Sequence, residues 1–412
     1  MANSMLGAGI FGLPSLLAAR LDAYSPLSCL IAGSGALIIA AVIAEIASRF
    51  EVTGGLYLYG REALGRFSGL LIAWLLLLTR IAAPAAAADL FASYLGQFIP
   101  GLHGKLAEIC LSAVLIGHLA LLNYIGVRTG KTVSDIFTLV KVGLLALFIG
   151  AGLVIPFFRP ELRLPLHFRT TTAKSWFEAL LLLVFGYGGF EGALMVGGES
   201  RNPKRDMPFA LLTALFLQVF LYTGVVYVVV STLPNAGASQ RPLADAAGIF
   251  LGGWGAAAIG IGALISTYGY LSANLLHSTR ITFALAEQGD FPKLFARIHP
   301  RFRTPHISIF LYALAVFGFA ALGDFRWNAI LSAATRLVIY GAMAIALIIF
   351  RKRCGPAPCS LPLGPVFGAA ALLIVLLLLS RIGVGEAVVL GLTAATALVN
   401  WASLRRARVE AN

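Results

Sequence analysis

Long apolar stretches follow one another along almost the whole of this 412-residue sequence. Hydrophobic residues make up 59% of the chain and charged residues only 12%, which is half of the roughly 25% charged residues of a typical soluble domain. A stretch of about 20 apolar residues has the length of a membrane-spanning helix. Because helices satisfy all their backbone polar groups internally, the sequence predicts an all-α integral membrane protein.

Twelve segments have the length and the apolar character of a spanning helix. Very short connections at 20–26 and 324–326 indicate helix hairpins at these two places. The predicted segments are 2–19, 27–49, 68–96, 106–122, 135–156, 175–199, 208–232, 253–285, 305–323, 327–350, 364–380 and 385–404.

The distribution of lysine and arginine predicts which side of the membrane each loop faces. With the N-terminus in the cytoplasm, basic residues of inside loops outnumber those of outside loops by roughly two to one. The exception is the loop at 156–174, which places four basic residues outside. We therefore expect both termini in the cytoplasm and the chain in the inner (plasma) membrane. The net charge of +13 lies in short loops and does not indicate nucleic-acid binding.

Two of the predicted spans are interrupted by glycine. The first contains Gly-Ala-Gly at 7–9 and the sixth contains Gly-Tyr-Gly-Gly-Phe at 186–190; each glycine costs about 1 kcal/mol relative to alanine in a helix. Loosened backbone persists at membrane depth only where it is buried in protein or lines a water-filled cavity. Glu191 follows the second break directly, and an ionisable residue at membrane depth is a functional hypothesis by default.

The two interrupted spans are five helices apart, so the second half of the chain enters the membrane in the opposite sense. This is the pattern of inverted repeats with a binding site at their interface. The alternative is that glycine only allows close helix packing, as it commonly does in membranes. The predicted organisation is a first repeat at 1–156, an inverted second repeat at 175–350 and two further helices at 364–404.

Four groups of motifs occur in a fixed order along the chain. They are GAGIFGLP at 7–14; AEIASRF at 44–50 with GGLYLY at 54–59; GFE at 189–191 with ESRNPKRDMP at 199–208; and GDFP at 289–292 with HPR at 299–301. In this order they resemble the amino acid–polyamine–organocation (APC) superfamily of permeases. The resemblance implies a LeuT-like five-plus-five inverted repeat with two extra C-terminal helices. It also implies secondary transport of amino acids or related amines by alternating access.

In that superfamily, backbone N–H groups around the first break hold the α-carboxylate of the substrate, which suits the positive end of a half-helix. The matching positions here are Ala8, Gly9 and Ile10. Carbonyl groups near Met5 would accept hydrogen bonds from the substrate ammonium. Many relatives have serine where this chain has Ala8, so one side-chain hydroxyl is missing while the backbone donors remain.

Carbonyl groups of the second break would complete the ammonium site, at Phe185, Gly186 and Gly188. Some exchangers of the superfamily carry tryptophan at the position of Phe185, as a gate over the substrate. Phenylalanine can still cover the site but lacks the indole donor. Glu191 either bonds to backbone N–H groups of the unwound segment or relays a proton, and both roles remain open.

Lys141 lies in the fifth predicted span. Sodium-coupled members of this fold bind an ion between helices 1, 5 and 8, and proton-coupled permeases of the superfamily have a lysine there instead. An ammonium group can take the place of the sodium ion, and a lysine held inside a protein can act as a proton carrier. The alternative is a lysine that snorkels to the membrane surface.

Residues of the third and eighth spans are further candidates for the pocket or the gate. Asp89 either faces the substrate path or pairs with an arginine, for which Arg336 is a candidate. Arg80 is nine residues from Asp89 and does not share its helical turn. Tyr268 is expected near the ion or the substrate, although polar residues also join membrane helices by hydrogen bonds.

These features predict a proton-coupled amino acid symporter. An exchanger of the same fold is the first alternative, and a sensor that binds amino acids without transport is another. A channel would need a continuous polar stripe along several helices, and an enzyme would need a nucleophile–base pair or a metal cluster; neither pattern is apparent. The expected partners are an amino acid, protons and the lipid bilayer, with no nucleic acid, no cofactor and no metal, in a monomer or a homodimer.

Six residues precede Gly7 in this sequence, which is about 9 Å of helix. A half-helix that reaches the bilayer centre needs about ten residues. We therefore expect either that the natural chain begins upstream of Met1 or that the inner half of the first helix is shortened.

Overall fold

The computed structural model describes residues 7–50, 54–99, 104–126, 131–166, 168–194 and 203–409. Within these residues the regular structure consists of α-helices and short 3-10 turns. This agrees with the all-α prediction.

The helices of the first part of the chain follow the predicted segments, with one addition, a short helix in the loop after the second segment. They are α1 (Leu13–Leu21), α2 (Ser25–Ala47), α3 (Gly55–Leu64, the added helix), α4 (Arg66–Leu95), α5 (Lys105–Ile125), α6 (Lys131–Phe158) and α7 (Ala173–Tyr187).

The helices of the second part begin with a short one that follows the second break. They are α8 (Phe190–Leu194), α9 (Pro203–Thr232), α10 (Pro242–Glu287), α11 (His306–Leu322), α12 (Phe325–Cys354), α13 (Gly364–Leu379) and α14 (Val384–Val409). The α10 helix is kinked at Gly252, where φ is +72°.

Eight helical stretches of the described residues are long and apolar enough to cross a membrane. One of them, Leu13–Ala47, joins α1 and α2 across a tight turn; α11 and α13 are shorter apolar helices. Large apolar side chains such as Trp254 and Leu322 are almost fully exposed on the outside of the bundle, where lipid can cover them. The chain is an integral membrane protein.

The α4 helix is enclosed by the rest of the bundle because it is lined with small residues. The run from 82 to 88, which is alanine apart from one proline, is buried throughout, and α4 packs along α12. Small residues allow membrane helices to approach closely. The hydroxyl of Thr79 bonds to that of Thr335 at 2.8 Å, which fixes the register of the two helices.

Several helix contacts in one half of the bundle have a counterpart in the other half. The counterparts are related by exchanging α1 with α7, α2 with α9, α4 with α10, α5 with α11 and α6 with α12. In four of these pairs the two exchanged helices contact each other: α1 with α7, α2 with α9, α4 with α10 and α5 with α11. When each helix is replaced by its counterpart, the contact of α4 with α12 becomes that of α10 with α6, and this contact is also present.

Glu45 near the end of α2 anchors the connection between α12 and α13. Its carboxylate accepts two hydrogen bonds from Arg351, from Nε and Nη2 at 2.7 Å each. It also accepts the N–H of Leu361 at 2.9 Å, and its side chain is fully buried. One carboxylate thus joins two helices and a loop.

We predict that Glu45→Ala destabilises the protein by about 3 kcal/mol, because it leaves Arg351 without its carboxylate. Thermal unfolding of the purified protein in detergent measures this. Glu62→Ala, which removes an exposed carboxylate of α3, is the control and should change little. Equal unfolding temperatures for the two variants would contradict the anchoring role.

Candidate functional site

The first break is an irregular turn that leads into α1. Gly7 has φ +40°, and residues 9–11 form a 3-10 turn in which Phe11 donates to the carbonyl of Ala8 at 3.2 Å. The α-helix begins only at Leu13. Met5, the predicted ammonium ligand, lies outside the described residues, whereas the predicted carboxylate ligands lie within this buried turn.

The second break consists of two residues between α7 and α8. Gly188 is extended and Gly189 has φ +102°, a conformation that favours glycine. The helix before the break continues through Phe185 and Gly186 to Tyr187, so the interruption is narrower than the segment 186–190 that the sequence indicates.

The first break and the start of α1 pack closely against the end of α7, just before the second break, because glycines at the contact lack side chains. A Cβ atom at Gly9 would lie 2.8 Å from Cε1 of Phe185, and one at Gly186 would lie 2.7 Å from Cδ1 of Leu13. The ring of Phe185 also meets that of Phe325, at the start of α12, edge to face with a centroid distance of 6.0 Å. The ring of Phe185 therefore lies against both the first break and the start of α12.

Two carbonyl groups predicted for the ammonium site already take part in internal hydrogen bonds. The carbonyl of Phe185 accepts from the N–H of Gly188 at 3.3 Å, and that of Gly186 accepts from Nε2 of Gln218 at 2.7 Å. Each carbonyl oxygen has a second lone pair, so these contacts reduce but do not remove their capacity to bind a substrate.

Lys141 on α6 extends to the first break. Its ammonium donates to the carbonyl of Gly7 at 3.1 Å, and the residue is 2% exposed. The side chain therefore points into the bundle rather than to the membrane surface. A protonated lysine in this position ties α6 to the irregular backbone before α1.

Glu191 and Arg336 form a buried ion pair at the second break. Oε1 of Glu191 is 2.5 Å from Nε of Arg336, and Oε2 accepts the N–H of Gly189 at 2.6 Å. Arg336 also donates to Ser332 at 2.9 Å. A Cβ atom at Gly188 would lie 2.4 Å from Nε of Arg336, so glycine is needed there for the arginine to reach Glu191.

Asp89 has a different partner from the one expected. Arg336, the candidate arginine for Asp89, bonds to Glu191. Asp89 lies near the end of α4 and accepts from Nδ2 of Asn328 at 3.4 Å. The carboxylate thus joins α4 to the start of α12.

Tyr268, predicted at the gate or pocket, faces away from the second break. Its hydroxyl is 3.3 Å from Nε2 of His118 on α5. Tyr270, two residues later, instead lines a cavity beside Glu191, together with Asn274. Sequence reasoning missed Tyr270 because polar residues lie on several sides of this part of α10, so they do not indicate which face is turned inward.

One cavity adjoins the second break, and a larger one lies next to it. The break cavity, about 50 Å³ in volume, lies between that break, α4, α10 and α12. The vestibule, about 350 Å³, lies between α3, α4 and α10. Leu76 and Arg80 line both cavities, so they stand where the two meet. Together the cavities form an approach to the break from the side of α3.

The rim of the vestibule is held by Asp290, which follows α10. The hydroxyl of Tyr57 donates to Asp290, and Arg66 donates to it at 2.8 Å. Burial and this bond to the carboxylate raise the pKa of Tyr57, which keeps the hydroxyl a donor. Asn400 of α14 binds the Asp290 carbonyl at 2.8 Å. The rim therefore connects α3, α4 and α14.

Within the described residues, no group of three or more His, Cys, Asp or Glu side chains is placed to hold a metal ion.

Comparison with known proteins gives a consistent result. Residues 1–401 match the family model described as "Amino acid permease". The methylthioribose transporter of Bacillus subtilis (strain 168) is 28% identical over 367 residues, which cover 85% of this chain and 78% of that protein. The branched-chain amino acid permease BcaP of the same organism is 25% identical over 401 residues, covering 92% of this chain and 85% of that protein.

A third relative from that organism, the serine/threonine exchanger SteT, is 28% identical over 368 residues, covering 85% of this chain and 81% of that protein. The family and these relatives are permeases, transporters and exchangers, which confirms the expectation that the chain is not an enzyme.

A double-mutant cycle tests the ion pair. We predict that Glu191→Ala and Arg336→Ala are each strongly destabilising, and that their coupling exceeds 1 kcal/mol, about the lower part of the range for residues in direct contact. Thermal or denaturant unfolding in detergent gives the free energies. The matched cycle of Asp89→Ala with Arg336→Ala should be additive within about 0.5 kcal/mol; coupling in that cycle alone would contradict the pairing.

Proposed function

We propose that this chain, which belongs to the amino acid permease family within the APC superfamily, carries out secondary active transport of amino acids across the plasma membrane. The observation that carries the proposal is the contact between the first break and the end of α7, directly before the second break, where Gly9 lies against the ring of Phe185. Two adjacent breaks offer backbone donors and acceptors to one small zwitterion.

The substrate binds with its α-carboxylate at the N–H groups of Ala8, Gly9 and Ile10. The dipole of α1 begins at this turn and favours an anion there. The substrate ammonium is held by carbonyl groups of the second break, of which Gly188 is the least engaged by the contacts described above. Phe185 covers the bound molecule.

The fold proposed for this function is the LeuT-like five-plus-five inverted repeat with both termini in the cytoplasm. The exchange pattern in the helix packing supports it, because contacts such as α4/α12 have their counterpart in α10/α6. In this orientation the vestibule beside α3 opens to the cytoplasm, while Phe185 and Phe325 close the opposite side. This arrangement corresponds to an inward-facing state.

Coupling to protons is proposed to occur at Lys141. The charged ammonium makes a stronger hydrogen bond to the carbonyl of Gly7 than a neutral amine would. Release of the proton therefore weakens the tie between α6 and the first break, and this backbone can then move with its substrate. The buried position of Lys141 supports this role over that of an interfacial lysine.

Exchange of one amino acid for another is the second candidate, because SteT is named as an exchanger. Uptake into proteoliposomes separates the candidates. A symporter fills empty vesicles when a proton gradient is imposed, whereas an exchanger requires amino acid inside. A sensor would bind without uptake in either case. A competition panel of the twenty amino acids in this assay identifies the substrates.

We predict that Gly9→Val and Gly188→Val each abolish uptake while the protein is still produced. The new side chains would overlap Phe185 and Arg336 respectively, and so would distort the breaks. Gly117→Val is the control, since a Cβ atom there meets nothing within 4 Å. Uptake at the wild-type rate by both break variants would show that the substrate does not bind at the breaks.

We also predict that uptake increases with an inward proton gradient and is indifferent to sodium. Lys141→Ala should abolish the dependence on the gradient, because no titratable ammonium then contacts Gly7. Lys174→Ala, at an exposed lysine, should behave as wild type. Stimulation by sodium, or an unchanged gradient response in Lys141→Ala, would contradict proton coupling through this lysine.

A further inference from the structure

A third cavity, which we call the lateral groove, lies on the outside of the bundle between α2, α7, α12 and α13. Its volume is about 340 Å³, and it shares no described lining residue with the break cavity or the vestibule. Ile31 of α2 and Leu377 of α13 belong to its lining, and each is 46% exposed. In a membrane-spanning chain, apolar side chains at such a mouth face lipid.

The walls of the lateral groove suit a hydrocarbon chain. Most lining residues are aliphatic or aromatic. The hydroxyls of Ser34 and Tyr187 in the wall bond to backbone carbonyls of α2, at 2.9 Å and 2.8 Å respectively. A Cβ atom at Gly35 would lie 3.8 Å from Cδ1 of Ile374, which is an ordinary contact distance. Close helix packing therefore does not require glycine there, and its missing side chain leaves space in the groove.

The lateral groove has the depth of one leaflet of a bilayer. Along α7 its wall extends from Phe177, near the start of the helix, to Tyr187 at the end. These ten residues correspond to about 15 Å of helix, which is half of the roughly 30 Å hydrocarbon core of a membrane. The groove thus leads from the membrane surface to the depth of the second break.

Arg381 stands at the surface end of the lateral groove. It follows α13 and is exposed, and its Cζ atom is 4.8 Å from the ring centroid of Phe177. Glu178, the next residue of α7, pairs with Arg20 at 2.9 Å and with Arg326 at 3.3 Å rather than with Arg381. A guanidinium can stack on an aromatic ring and donate paired N–H groups to phosphate. Its positive charge favours a lipid whose headgroup is anionic.

We propose that the lateral groove binds one acyl chain of an anionic phospholipid, with the phosphate at Arg381 and the end of the chain beside the second break. Tyr187 and Phe190 flank that break, and both line the groove. Phe190 also stacks on Tyr340 of α12 with a centroid distance of 5.3 Å. A bound chain packs against these rings and so restrains the break. The inference does not depend on which molecule the protein transports.

The first experiment uses the wild-type protein purified in detergent. Thermal unfolding is measured while phosphatidylglycerol, which is anionic, or phosphatidylcholine with the same acyl chains is added. We expect both lipids to stabilise the protein, with a half-saturating concentration about fivefold lower for phosphatidylglycerol. Equal concentrations for the two lipids overturn the proposal.

The second experiment separates the headgroup contact from the acyl chain contact. Arg381→Gln should raise the half-saturating concentration of phosphatidylglycerol about fivefold, the factor that corresponds to roughly 1 kcal/mol for one arginine near a membrane surface. Arg159→Gln is its control, because Arg159 is an exposed arginine that follows α6 and does not line the groove. An Arg381→Gln protein that binds phosphatidylglycerol as tightly as wild type overturns the contact with the phosphate.

Gly35→Phe fills the lateral groove and should abolish stabilisation by both lipids. Gly117→Phe is the matched control, since Gly117 is exposed on α5 and a Cβ atom there meets nothing within 4 Å. If Gly35→Phe does not fold, Leu377→Trp at the exposed mouth of the groove replaces it. Wild-type stabilisation in a folded groove variant overturns the proposal. A change in oligomeric state without a change in lipid affinity also overturns it, because a second copy of the chain would then cover the groove.

The effect on the second break is measured by hydrogen exchange. Peptides that cover residues 187–192 should exchange more slowly when phosphatidylglycerol is added to the wild-type protein, and at an unchanged rate in the groove variant. Lipid binding without any such protection overturns the link to the break. Because neither readout uses uptake, failure of the proposed transport function leaves these tests unaffected.

Discussion

The buried pair of Glu191 and Arg336 is the interaction on which the centre of this protein depends. A lone carboxylate at membrane depth is costly, and a backbone N–H without a partner is costly as well. Here the carboxylate of Glu191 accepts hydrogen bonds from the guanidinium of Arg336 and from the N–H of Gly189. The carboxylate and the N–H group therefore each have a partner, and neither is buried without one. The break therefore persists only next to α12, which supplies the arginine, and the cavity beside the break is bounded by the same residues.

The sequence alone predicts the features that depend on local backbone chemistry. Closely spaced glycines mark both breaks, and the structure interrupts the α-helix at each, with a 3-10 turn after Gly7 at the first and with Gly188 and Gly189 at the second. Lys141 stands out because it is a charge within an apolar span, and it contacts Gly7. These signals are readable because each lies in a few consecutive residues whose backbone or charge is unusual for a membrane helix.

Features that depend on which face of a helix turns inward are not predictable in this way. Positions two apart on a helix differ in direction by about 200°, so the choice of Tyr268 over Tyr270 selects the opposite side of α10. The pairing of Arg336 with Glu191 is likewise not predictable, since nothing local indicates that α12 lies against the second break. In a soluble helix the polar face gives the direction, but lipid and protein interior are both apolar.

The exchange of packing partners between the halves has a consequence for energetics under the proposed function. Among the described residues, α4 contacts α12 more extensively than its counterpart α10 contacts α6, so the two halves share a plan but differ at this helix contact. A second conformer, in which α10 and α6 make the more extensive contact and α4 and α12 the less extensive one, would use the same kinds of helix contact. Alternating access under the proposed function requires two such conformers of comparable free energy, so that the modest differential affinity of a single small molecule can change which of them is populated.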